Sequence, residues 1–127
     1  MLRAIILVGV GGAAGSILRF LTSHLVARLF DKPFPLPTFI VNMVGCFAMG
    51  LLFGIIERHI PVGNDLKQLL LVGFCGGYTT FSAFAFENIS LLQTNQYITL
   101  VSYVILSVVL GMALLWLGLY TTRHIAI

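Results

Sequence analysis

The sequence predicts an all-α membrane protein of four transmembrane helices, the third broken near its middle. Three observations predict it. Apolar residues fill 59% of the 127 positions and charged residues 9%, with a mean hydropathy of +1.06. A composition so lean in charge excludes a disordered chain and argues against a soluble domain. Second, the apolar residues fall into four runs, each near the roughly 20 residues that cross a bilayer as a helix, with no room for a separate soluble domain. Third, the run GFCGGYTTFSAFAFE (Gly73–Glu87) is apolar yet carries Gly76, Gly77, Thr79 and Thr80 together. Glycine loses most backbone entropy on ordering, and threonine hydroxyls compete for backbone hydrogen bonds. The expectation is a break over Gly76–Thr80 with helical halves on either side.

The first span runs from Ala4 to Leu29, with Arg19 as its interior charge. Arg3 ahead of an apolar run, followed by GGAAGS, also suits a signal peptide. Apolar character continues past Arg19 through LTSHLVARLF, which favours a full span. Pro33, Pro35 and Pro37 punctuate the loop Asp31–Pro37, where a helix is not expected to continue.

The second span is Thr38–Ile56, with Asn42 its only strongly polar side chain. Gly50 and Gly54 form a GxxxG pair that permits close helix contact. Pro61, Gly63 and Asn64 then suggest a turn. The third span, Leu66–Leu92, holds the broken stretch and is followed by a polar turn at Gln93–Gln96. The fourth, Tyr97–Thr122, has no charge before Arg123 and places Tyr97, Trp116 and Tyr120 near its interfaces. There is no internal repeat, so a pseudosymmetric second half would have to come from another chain.

Four spans put both termini on one side, with Arg3, Arg58, Lys67 and Arg123; Arg28 and Lys32 lie opposite. So small an asymmetry favours cytoplasmic termini only weakly and permits insertion in both orientations. The net charge of +3 fits interfacial anchoring; no basic run points to nucleic acid.

Polar groups inside a membrane are costly and so point to function. Asn42 offers two amide hydrogens and an acceptor oxygen, for a neighbouring helix or for a passing ligand. Arg19 either snorkels, pairs with an acid such as Glu87, or faces a vestibule. Tyr103 and Ser107, four apart, share a face of the fourth helix. Phe81 and Phe84 share a face directly after the break, beside Thr80 and Ser82. They are either core packing or a pair of ring edges, electropositive and weakly donating, turned toward a small anion. Broken membrane helices commonly bind ions, whereas Gly and Thr are also ordinary packing residues there.

An enzyme is not expected. There is no Ser/His/Asp or Cys/His set, no phosphate loop and no HExxH. GVGGAAG lies within a span with no strand before it. His24, His59 and His124 have no ligand spacing, and Cys46 and Cys75 fall inside apolar runs as small packing residues.

GGYTTFSAF resembles the signature of the Fluc family of bacterial fluoride channels, whose third helix carries a GGxTTFSTF-like run. GGAAGSILRF is similar to that family's glycine-rich stretch ending in Arg and an aromatic, and FIVNMVG to its xxxNxxG element. The resemblance covers essentially the whole chain. It implies a passive fluoride channel of the bacterial inner membrane, working as an antiparallel, dual-topology homodimer with two pores lined by both chains. It implies that Asn42 lines the pore, that Phe81 and Phe84 coordinate fluoride, and that Thr80, Ser82, Tyr103 and Ser107 belong to the pore. Arg19 would shape the electropositive approach. A structural sodium ion would sit at the dimer centre on the backbone carbonyls of Gly76 and Thr79. Ala83 departs from the pattern, standing where the family often has a hydroxyl, and Ala85 is also apolar, so the polar track is thinner here.

Two other classes fit the size. A small multidrug-resistance-type exporter needs a carboxylate in its first helix, and no Asp or Glu precedes Asp31. A non-transporting assembly subunit explains the small-residue faces but not Asn42 and the TTFS run together.

Overall fold

Four stretches of the chain are helical, long and apolar enough to cross a membrane: Leu2–Leu29, Leu36–Arg58, Asn64–Gln93 and Tyr97–His124. They come from a computed structural model that describes residues 1–59 and 64–124. We label the helices α1 (Leu2–Leu29), α2 (Leu36–His59), α3 (64–78), α4 (Phe81–Gln93) and α5 (Tyr97–His124). No strand occurs among the described residues. The turn expected at Pro61 and Gly63 lies outside them.

Helix α2 begins at Leu36, earlier than expected, and takes Pro37 into its first turn. A first-turn proline gives up an amide hydrogen that had no helical partner anyway. Phe39 N donates to Pro35 O at 3.2 Å and continues the winding. Between α4 and α5 the chain turns on Asn95, which takes φ 57°. Gln96 N reaches back to Leu91 O at 2.9 Å, the closure that a left-handed residue permits after a helix.

The break in the third span is shorter than expected and takes only the last two residues of Gly76–Thr80. Gly76, Gly77 and Tyr78 are helical. Only Thr79 (φ −82°, ψ 159°) and Thr80 (φ −148°, ψ 117°) are extended. Ahead of them, Lys67–Cys75 is wound as a π-helix. Gly77 therefore serves packing rather than unwinding. A Cβ on Gly77 would lie 2.5 Å from Gly12 O, and one on Gly15 2.2 Å from Phe74 O. Backbone of α1 and α3 thus touches directly, which only glycine allows.

The Gly50–Gly54 pair works within the chain. A Cβ on Gly50 would meet Leu115 O at 2.1 Å, and one on Gly54 the Thr122 hydroxyl at 2.2 Å. It joins α2 to α5, one of the two extensive helix pairs among the described residues, the other being α1 with α3. At the terminal end, Arg3 pairs with Asp65 at 2.5 Å and Lys67 with Glu57. These exposed pairs contribute little stability, but they tie the starts of α1 and α3 and the end of α2 together. Much of the outer surface is apolar, including Ile5, Val10, Ile17 and Phe20 of α1, as a lipid-facing or partner-facing surface requires.

Candidate functional site

At the break, three backbone groups, Thr79 O and the N and O of Thr80, leave the helical ladder, and each unsatisfied group at membrane depth costs several kcal/mol. Side chains of other helices take them up. Asn42 Oδ1 accepts from Thr80 N at 2.8 Å, and Asn42 Nδ2 donates to Thr80 O at 3.1 Å. Arg19 NH1 donates to Thr79 O at 3.2 Å. Thr79 N stays helical, donating to Cys75 O at 3.0 Å. So α1 and α2 each lend one polar side chain to hold a two-residue gap open in α3–α4.

Gly76 is left differently. In a continuous helix its carbonyl would receive the Thr80 amide; that amide goes to Asn42 instead. Gly76 is exposed, and a Cβ there would meet nothing closer than Leu71 O at 3.9 Å. Its neighbour Gly77 O accepts from Ser16 Oγ at 3.4 Å.

Thr80 also starts the next helix. Its hydroxyl accepts from Ala83 N at 3.3 Å, an N-cap that satisfies one free amide of α4. Ala83 thus enters the site through its backbone, although it has no hydroxyl. Ser82 Oγ lies 3.3 Å from Thr80 Oγ1 on the exposed side.

The break opens on a cavity of about 350 Å³ between α2, α4 and α5. Asn42, Thr79, Thr80, Phe81, Phe84 and Ser107 line it. Six residues singled out from sequence thereby meet on one wall, although they come from three separate spans. The two phenyl rings stand 5.8 Å apart at 39°. Phe81 is 79% exposed within the single chain, so its ring is available to the cavity or to a partner rather than committed to a core.

Tyr103 is fully buried behind this wall, its ring 4.9 Å from that of Phe84. Its hydroxyl donates to Glu87 Oε2 at 2.7 Å, and Thr38 Oγ1 donates to Glu87 Oε1 at 2.5 Å. Glu87 is therefore not the partner of Arg19; its two oxygens are taken by hydroxyls of α2 and α5, and Arg19 bonds a carbonyl instead. Thr38 and Glu87 were missed as a site from sequence. The signal was there, a carboxylate well inside the third span, but its partners lie 49 and 16 positions away.

The site can thus present a small solute with amide hydrogens, hydroxyls and ring edges in an otherwise apolar wall. Among the described residues no cluster of His, Cys, Asp or Glu is arranged to hold a metal; a hard cation such as sodium would rest on backbone carbonyls.

Comparison with known proteins gives a consistent picture. Residues 6–119 match the family model described as CrcB-like protein, Camphor Resistance (CrcB). Curated relatives named fluoride-specific ion channel FluC are similar over nearly the whole length. That of Azobacteroides pseudotrichonymphae is 44% identical, over 97% of this chain and 98% of the relative. That of Flavobacterium psychrophilum is 43% identical over 98% and 100%, and that of Nitratidesulfovibrio vulgaris 45% over 96% and 98%.

Proposed function

The chain belongs to the CrcB-like protein family, and from that premise we propose that it is a fluoride-specific ion channel, a multi-pass protein of a bacterial membrane. The observation that carries the reading is the wall on which Asn42, the Thr79–Thr80 break and the Phe81–Phe84 pair meet. Asn42 spends one amide hydrogen on Thr80 O, and its second remains for an anion in the cavity. The ring edges of Phe81 and Phe84 are weak donors. They replace part of the water around a small anion without holding it tightly, which conduction requires. Hydrogen fluoride enters an acidified cell as a neutral acid and dissociates inside, so a passive anion path suffices for export.

The finer arrangement is part of the same proposal. Two copies associate antiparallel, each pore lined by both chains. The exposed ring of Phe81 and the exposed Gly76 support this, since neither has a neighbour that accounts for it within one chain. A structural sodium ion on the two-fold axis is held by backbone carbonyls, with Gly76 O as its main ligand because the break deprives it of its helical amide. Thr79 O is the second ligand; it already accepts from Arg19, so ion and guanidinium share one oxygen. Hard oxygen dipoles without a carboxylate suit a monovalent ion better than a divalent one.

The test is fluoride efflux from liposomes containing only this purified protein, with chloride as the control. Fluoride release above that of empty vesicles, with chloride retained, is the expected result. Equal release of both anions, or of neither, overturns the function.

A further inference from the structure

The cavity carries a second chemistry that the anion path does not use. Met43, Cys46 and Met49 follow one another at three-residue spacing on α2, and all three line the same cavity. Residues three apart on a helix are neighbours on its surface. Cys46 forms no disulfide. On the opposite helix Gly111 has no side chain to fill the space beside Cys46 Sγ and the Met43 terminal methyl. The position of a Cβ on Gly111 in α5 would be 3.5 Å from Cys46 Sγ and 3.5 Å from Met43 Cε. Both side chains thus reach toward one point, with the flexible Met49 a turn further along the wall.

We propose that Met43, Cys46 and Met49 form a binding site for a soft monovalent cation, of the chemistry of copper(I) or silver(I). Thioether and thiolate sulfurs select such ions over hard ones. Charge favours monovalency: the thiol proton leaves to solvent as the metal–sulfur bond forms, so the site stays neutral in an apolar wall. A divalent ion would leave an uncompensated positive charge there. Methionine has three rotatable bonds and adapts its sulfur to the geometry the metal needs. The ion would occupy the cavity that Asn42, Phe81 and Phe84 also line, and the site does not depend on which solute that cavity passes.

The experiment is equilibrium dialysis of the detergent-purified protein against silver nitrate in chloride-free buffer, followed by metal analysis. The parent is expected to retain one silver ion per chain. Cys46→Ser should lose it, and Met43→Leu and Met49→Leu, which conserve volume, should each bind more weakly. Cys75→Ser, on another helix, should retain it. Undiminished silver in Cys46→Ser overturns the site. So does parental affinity in both methionine variants, which would mean an ordinary thiol adduct.

Discussion

Asn42 replaces a turn of backbone at Thr80: its amide oxygen accepts from Thr80 N at 2.8 Å and its amide nitrogen donates to Thr80 O at 3.1 Å. One side chain of α2 thereby does what two helical partners would have done. Asn42→Ala removes both bonds, and each buried group left unpaired costs about 1–3 kcal/mol. Asn42→Asp keeps the acceptor, loses the donor and adds negative charge to an anion path. Both variants should lose most fluoride flux in liposomes. Parental conduction by folded Asn42→Asp would make Asn42 a packing residue.

Phe81→Ile and Phe84→Ile keep apolar bulk and remove the ring edges. Each should lower fluoride flux by roughly tenfold or more, the effect of about 1.4 kcal/mol on a barrier. Chain folding and association, followed by size-exclusion elution, should hold. Unchanged flux in both folded variants would show that the rings only pack.

The glycines at 76 and 77 should respond oppositely to a methyl group. Gly77→Ala drives a Cβ to 2.5 Å from Gly12 O, and backbone cannot yield cheaply, so a loss of about 1–3 kcal/mol is expected. Gly76→Ala makes only an ordinary contact within the chain, at 3.9 Å from Leu71 O, so its own fold should tolerate the change. Any loss in Gly76→Ala should appear as weaker dimers or weaker sodium dependence. Thermal unfolding in detergent, with and without sodium, separates the two; equal behaviour would remove the basis for a role of Gly76 at an interface.

Glu87→Gln should destabilise the chain, because Thr38 Oγ1 and Tyr103 OH both donate to the carboxylate and a glutamine offers only one acceptor oxygen. A cost of about 1–3 kcal/mol is expected from one donor left facing an amide. Tyr103→Phe in the same background should add little, since its bond is already weakened. Additive losses in the double variant would show that the two residues act independently.

The weak Lys/Arg asymmetry permits insertion both ways, and together with the family resemblance it leads us to expect it. A cysteine added at the C-terminus should be labelled by a membrane-impermeant reagent in roughly half the molecules of intact cells. A single protected or single labelled population would refute dual topology.

Four bilayer-length helices follow from composition and run length, because lipid leaves a backbone little else to form. The broken third span followed from Thr79 and Thr80 beside a glycine pair, and the resemblance to fluoride channels followed from the same run. Sequence could not say which of those residues unwinds. Helix termini depend on where orphaned amides find partners, and here Asn42 and Arg19, 38 and 60 positions away, supply them to the threonines while backbone contact with α1 keeps Gly77 helical. Nor could it separate Arg19 from Glu87. Opposite charges in one membrane protein invite pairing on paper, but the packing of α2 against α5 brings Thr38 and Tyr103 to the carboxylate. The convergence of Asn42, Phe81, Phe84 and Ser107 on one cavity wall is likewise a product of helix packing, since spacing along a chain fixes the face of each helix but not which faces meet.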